Sequence, residues 1–325
     1  MALSIQAFAQ TANTGLKQKV LNKFQFEEYS IPTEKDTILF YLHKTKNVQP
    51  TKLVLYLQGT TPTPDPFFEI RKIKEGYSYI QYFPSDYELL GDEYAFAFIA
   101  VPGVAAIKNI GPYNLTKYNS LNSLDYRVFQ ADTVINYISE QLFELDKTIV
   151  YGHSEGAPVA ARLGTVNTRI SHLGFWAGNA LPDFYDFILF ERKANLQNLQ
   201  SDSTTQQNIE DVISLFETIA ADSLNTVPAN TNEITEYTNK RWWSYADPPI
   251  NDLVKIDIPL YVQVATEDES VAVESTYLIP LEFIRLKKEN LTFKACVGCD
   301  HSFVKGDKDL WPDIFLDFIS WTEKE

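Results

Sequence analysis

An α/β fold, a mostly parallel sheet flanked by helices, is the architecture this sequence predicts, and three observations carry that expectation. Short apolar runs recur along the chain, at Lys52–Leu57, Ala95–Val101, Thr148–Tyr151, Leu173–Ala177, Leu260–Ala265 and Leu291–Val297. Their apolarity is continuous rather than alternating, as in strands buried on both faces. Helical periodicity fills most of the intervals between them. At 325 residues, of which 45% are hydrophobic, the chain is long enough to bury a large core as one elaborated domain or as a domain with an insertion.

Each element has a local cause. Phe24–Ser30 and Thr37–His43 read as an antiparallel pair joined by a Pro-Thr-Glu-Lys turn ahead of the parallel strands. Between the second and third apolar runs, Leu124–Leu142 carries Val128, Val134, Ile135, Ile138 and Leu142 near one helical face, with Ser123 as its cap. The C-terminus forms another such helix, with Pro312 at its start and Phe315, Phe318 and Ile319 on its apolar side. Residues 178–250 break the rhythm. They hold an amphipathic stretch (Ile209, Val212, Ile213, Phe216, Ile219) and the aromatic knot Trp242-Trp243-Ser244-Tyr245, with no strand-like run. This segment reads as a helical cap inserted after a strand's C-terminal end, where ligands bind in open α/β sheets, and so as a lid over the site, with an extra packing layer as the alternative. The predicted organisation is a tail over 1–20, a core over 21–177 and 251–325, and the cap over 178–250.

The formal net charge of −15 and the lack of a basic stripe exclude nucleic acid as a partner class. No run of about 18 apolar residues predicts a membrane span. Met1–Gln10 ends in Ala7-Phe8-Ala9, like the cleavage end of a secretory signal, yet it lacks a basic start and a long apolar centre. Export to a periplasmic or extracellular space and residence in the cytoplasm therefore both stay open. The two cysteines, Cys296 and Cys299, have only His301 nearby and are too few for a zinc site, so a local disulfide or two plain thiols are the open readings.

The chemistry concentrates at Gly152-His153-Ser154-Glu155-Gly156. It follows the apolar, β-branched Thr148–Tyr151 and precedes a run of small, helix-compatible residues. A sharp strand-to-helix turn that lifts a serine into a cleft needs flanking positions without side chains. A serine hydroxyl also needs a base, and the base an orienting acid. Of the four histidines, His43 lies in an early strand, His153 packs beneath the turn, and His172 precedes a strand. His301 alone sits in a loop after the last strand. The acid is sought at the end of the preceding strand, where Asp268 is the candidate, Glu267 and Glu269 are neighbours that sequence alone leaves in play, and Asp183 is the outside choice. Negative charge developing on a substrate oxygen needs preorganised N–H donors. The backbone amides of Glu155 and of Thr60, in the Gln58-Gly59-Thr60-Thr61 turn, are the candidates. The Glu155 carboxylate reads as facing solvent rather than binding a substrate amine. Trp242, Trp243 and Tyr245 are candidates for a substrate pocket, with a buried cap core explaining them equally well.

The chain order Ser154, Asp268, His301, with the Gly152–Gly156 turn, Gln58-Gly59, Thr266–Asp268 and Asp300-His301, resembles the α/β-hydrolase superfamily from about residue 24 to the C-terminus. The resemblance implies an eight-stranded, mostly parallel sheet, a serine nucleophile, and neither metal nor organic cofactor. Gln58 stands where many members have histidine, and Ala157 where a further glycine is common, so neither position points to a subfamily. The expected activity is hydrolysis of small-molecule carboxylic esters through an acyl-enzyme, with amide or peptide hydrolysis by the same residues as the alternative. A catalytically silent binding protein of this fold is the non-enzymatic alternative.

Overall fold

The eight extended runs read from the sequence lie side by side in one sheet in the computed structural model of the protein, which describes residues 15–59, 66–84, 86–108, 110–111, 113–228 and 237–324. The strands are β1 (Phe26–Pro32), β2 (Thr37–Lys44), β3 (Lys52–Leu57), β6 (Tyr94–Ile99), β8 (Lys147–His153), β9 (His172–Trp176), β10 (Leu260–Ala265) and β11 (Leu291–Cys296). Their spatial order is β1-β2-β6-β3-β8-β9-β10-β11. The first two pairings, β1 with β2 and β2 with β6, are antiparallel, and the others are parallel. The Ala-Phe-Ala terminus and Thr60 both lie outside the described residues.

The sheet divides the core into two layers because successive side chains of a strand point to opposite faces. Along β3, Leu53, Leu55 and Leu57 enter one layer with the helices α3 (Leu124–Tyr137) and α4 (Gly156–Gly164), whereas Val54 and Tyr56 enter the other. That second layer is aromatic. Tyr56, Tyr151, Trp176 and Tyr261 pack there with Phe315, Phe318 and Trp321 of α11 (Trp311–Thr322). Phe315 and Phe318 are fully buried, each worth roughly 2–3 kcal/mol of apolar transfer. The helix predicted over 124–142 is α3, capped by Ser123 Oγ accepting from Tyr126 N, and it widens into a π turn at Ile138–Leu142.

Five further strands escaped the sequence reading: β4 (Phe68–Ile73), β5 (Gly76–Gln81) and β7 (Ile107–Lys108) form a small separate sheet in the order β5-β4-β7, and β12 (Val304–Lys305) pairs with β13 (Lys308–Asp309). β4 and β5 leave the main chain path between β3 and β6. Their hairpin turns at Gly76, whose φ of 116° suits glycine. Between β9 and β10 lie α5 (Asp183–Leu196), α6 (Asp202–Ala221), α7 (Asn239–Ser244) and α8 (Ile250–Leu253), with no strand among the described residues. α5, α6 and α7 share a small apolar cluster of Phe184, Ile219 and Trp242. The other helices are α1 (15–24), α2 (Leu115–Leu121), α9 (Val273–Thr276) and α10 (Leu278–Arg285). Among the described residues no helix is long and apolar enough to cross a membrane.

Candidate active site

Strand β8 stops at His153, and the chain turns so tightly into α4 that Ser154 adopts a left-handed φ of 56°. The turn tolerates no side chains around it. A Cβ on Gly152 would lie 2.0 Å from the Gly156 carbonyl oxygen, and one on Gly156 would lie 1.9 Å from the Leu57 carbonyl oxygen. Both distances are far inside van der Waals contact, so the two glycines have a steric cause. Ser154 N–H donates to Trp176 O at 3.0 Å and Ala157 N–H to Ser154 O at 2.9 Å, which fixes the strained residue from both sides. Glu155 stands at the N-terminal end of α4, where backbone amides have no intrahelical acceptor. Gly59 packs directly against Ser154: a Cβ there would lie 3.0 Å from the serine Cβ.

His301 follows β11 in the loop opened by Cys296 and Cys299, which are joined by a disulfide. Its Nδ1 lies 2.8 and 2.9 Å from the two carboxylate oxygens of Asp268. Asp268 is buried and accepts the Ser270 and Val271 amides, each at 2.8 Å. A carboxylate so held sets the tautomer of the facing imidazole, with the proton on Nδ1 and Nε2 left as the acceptor. The neighbours take other partners. Glu267 N–H donates to Cys299 O, and Glu269 Oε2 accepts the His301 amide at 3.4 Å. Ser154 and His301 line one cleft of about 600 Å³. Their side chains make no hydrogen bond to each other among the described residues, a separation common before substrate enters.

His153, read as packing beneath the turn, does so against Trp311 and the His301 ring. Burial, then the neighbouring His301, pushes its pKa down to about 3. The neutral ring donates from Nε2 to the His301 carbonyl at 2.9 Å.

Three expectations need correction. The Glu155 carboxylate does not face solvent: it is buried, with Arg127 Nη1 on Oε1 at 3.0 Å and Arg241 Nε on Oε2 at 3.0 Å. Burial works to raise this carboxyl, but the Arg241 and Arg127 charges outweigh it and hold it below the usual carboxylate range. Arg127 also donates to Gln58 O, so the residue after the serine and the turn after β3 are tied to one guanidinium. Asp183 is taken by Arg241 Nη1 at 3.0 Å, away from His301. The aromatic trio likewise stands elsewhere. Trp242 is buried in the helical cluster, Tyr245 is buried in the main core, and Trp243 is 42% exposed. None of them lines the cleft with Ser154, nor does any other described residue of 178–250.

The wall facing Ser154 comes instead from the small sheet and its flanks, through Phe67, Tyr82, Phe83 and Lys108. A signal for it was present in the sequence. Phe68–Gln81 alternates around Gly76 as a hairpin would. Arg127 and Arg241 had no comparable signal, because their partner Glu155 is 28 and 86 positions away, respectively. Among the described residues no cluster of three or more His, Cys, Asp or Glu side chains is arranged to hold a metal ion.

No known family profile and no curated protein matches the sequence. Solved structures match it over most of its length. Est1E from Butyrivibrio proteoclasticus is similar with a TM-score of 0.55 at 12% identity, over 92% of this chain and 99% of that one. A highly thermostable carboxyl esterase from Bacillus coagulans gives 0.56 at 15% identity, over 92% and 98%. Pyrococcus horikoshii acylaminoacyl peptidase gives 0.53 at 10% identity, over 91% of this chain but 41% of that one. Such low identities speak to architecture, and the strand order agrees with them: the chain has the α/β-hydrolase fold.

Proposed function

We propose that this protein is a serine hydrolase that cleaves small carboxylic esters through an acyl-enzyme. The observation that carries the reading is the buried Asp268 carboxylate 2.8 Å from His301, whose side chain shares a cleft with a serine held in a left-handed turn. Ser154 Oγ attacks the ester carbonyl carbon while its proton passes to His301 Nε2. Asp268 stabilises the imidazolium that forms. The tetrahedral oxyanion accepts the Glu155 amide and a second amide from the turn after β3, for which Thr60 is our assignment. Collapse breaks the C–O bond, and the departing alkoxide takes the proton from His301. Water then attacks the acyl-enzyme, His301 accepts its proton, and the carboxylic acid leaves as Ser154 is reprotonated. Residues 178–250 act as a helical support behind this site, through the Arg241–Glu155 contact.

A fluorophosphonate probe tests the reading. Labelling of the wild type, lost in Ser154→Ala and lowered by about 10³-fold or more in His301→Ala, supports it. A folded wild type that takes no label would sink it in favour of a silent binding protein. Hydrolysis of aminoacyl arylamides in preference to matched esters would move the substrate class to amides.

A further inference from the structure

The one positively charged side chain on the described wall of the cleft is Lys108. It stands out in a chain whose formal net charge is −15. Lys108 ends β7, in register with Glu69 of β4, and its nearest carboxylate oxygen is Glu69 Oε2 at 3.8 Å. That is too far for a hydrogen bond.

Glu69 is already engaged. Arg71 Nε and Nη2 reach its two oxygens at 3.1 and 3.2 Å, and the Tyr82 hydroxyl donates to Oε2. These hydrogen bonds, Arg71's foremost, hold the Glu69 carboxyl below its usual range. The ammonium of Lys108, 49% exposed, is attracted to Glu69 across 3.8 Å but makes no hydrogen bond to it, so its donors stay open to a ligand. No carboxylate lines the cleft among the described residues. Beside Lys108 the wall is aromatic, with Phe67 and Phe83 meeting edge to face at 5.7 Å and Tyr82 half-exposed.

A substrate suited to this wall has a flat or branched apolar body and a carboxylate at one end. We propose that Lys108 selects esters bearing a free carboxylate, which it pairs while the apolar part of the substrate lies against Phe67 and Phe83. The inference rests on Ser154 being the site of reaction, yet it has a test that needs no turnover.

Binding of 4-phenylbutanoate and of its neutral amide is measured on Ser154→Ala by calorimetry. The carboxylate is expected to bind about fivefold or more tighter, with the preference shrinking as salt rises. Lys108→Met, added to Ser154→Ala, is expected to abolish that preference. Lys72→Met, which removes an equal charge from an exposed site on β4 that does not line the cleft, is expected to retain it. In turnover, the ratio of kcat/KM for 4-nitrophenyl hemiglutarate to that for 4-nitrophenyl butyrate should fall about fivefold in Lys108→Met. Equal binding of acid and amide by Ser154→Ala overturns the proposal, and so does an equal loss in the two lysine variants, which would reduce the effect to long-range attraction. A protein that binds the acid selectively but takes no fluorophosphonate label keeps the Lys108 site and loses the hydrolase reading.

Discussion

His153 Nε2–H donates to the carbonyl oxygen of His301 at 2.9 Å, so the residue before the proposed nucleophile holds the backbone of the proposed base. The two rings lie 4.8 Å apart. The contact spans the elbow and the last loop, which share no strand pairing, and it fixes where the imidazole of His301 starts.

Replacing His153 by Phe keeps a planar ring among Trp311 and Phe303 but removes the donor. The expected outcome is about a tenfold slower fluorophosphonate labelling of Ser154, one hydrogen bond's share of positioning. The pH dependence of stability separates this role from a packing effect. The folded pKa of His153, about 3, is depressed below an unfolded value near 6.5. Between those values the unfolded chain binds the proton more readily, so stability is full above pH 6.5 and declines as pH falls towards 3, by at most about 1.4 kcal/mol per pH unit from this group. Urea titrations at pH 7 and pH 4.5 should show a smaller loss in His153→Phe than in the wild type. Equal losses in the two proteins, with unchanged labelling, would remove the assignment.

The strain at Ser154 makes a second expectation. An L-residue in the left-handed region costs about 1–2 kcal/mol relative to glycine, and Ser154 sits there with φ 56°. Ser154→Gly should therefore be more stable than Ser154→Ala by about 1 kcal/mol, although the proposed role of Ser154 makes both inactive. Gly156→Ala should behave in the opposite way, because its new methyl would meet the Leu57 carbonyl at 1.9 Å. Thermal melts that rank Gly156→Ala level with the Ser154 variants would contradict this reading of the turn.

How much of this was legible in sequence depends on the range over which each feature is determined. The central strands of the main sheet were readable because burial on both faces demands apolarity at every position, and β6, β9 and β10 are buried throughout, whereas the edge strands β1 and β11 are only partly buried. The site residues that end those strands inherited that clarity. Asp268 was harder to separate from Glu267 and Glu269, since only the turn geometry aims one of the three carboxylates at the His301 ring. The small sheet was missed because β4 and β5 are mostly half-buried or exposed and carry polar residues, so continuous apolarity never marked them. Glu155 was misread for a different reason. A carboxylate can be buried when cations come to it, and those cations, Arg127 and Arg241, arrive from α3 and α7, through contacts that no local pattern encodes.

Those cations give the last expectation. Arg241 is buried between the Glu155 and Asp183 carboxylates, and its guanidinium lies over the rings of Tyr237, Trp242 and Tyr245 at 4.3, 4.4 and 4.7 Å. Removing it by Arg241→Ala would leave two carboxylates, Glu155 and Asp183, with Arg127 as the remaining cation beside Glu155, and the uncompensated charge should cost about 3–5 kcal/mol. Arg241→Lys should recover only part of that, because an ammonium cannot reach both carboxylates with the geometry of a planar fork. If the loss comes from the stranded charge, Glu155→Gln combined with Arg241→Ala should be less damaging than the sum of the single changes by about 1 kcal/mol or more. Strict additivity in a urea double-mutant cycle would mean that Arg241 stabilises through its aromatic packing instead. The distinction bears on activity, since Glu155 carries a proposed oxyanion amide. A charge-dependent clamp predicts that Glu155→Gln slows acylation in step with the stability it loses, whereas a packing role leaves that amide in place and the rate with it.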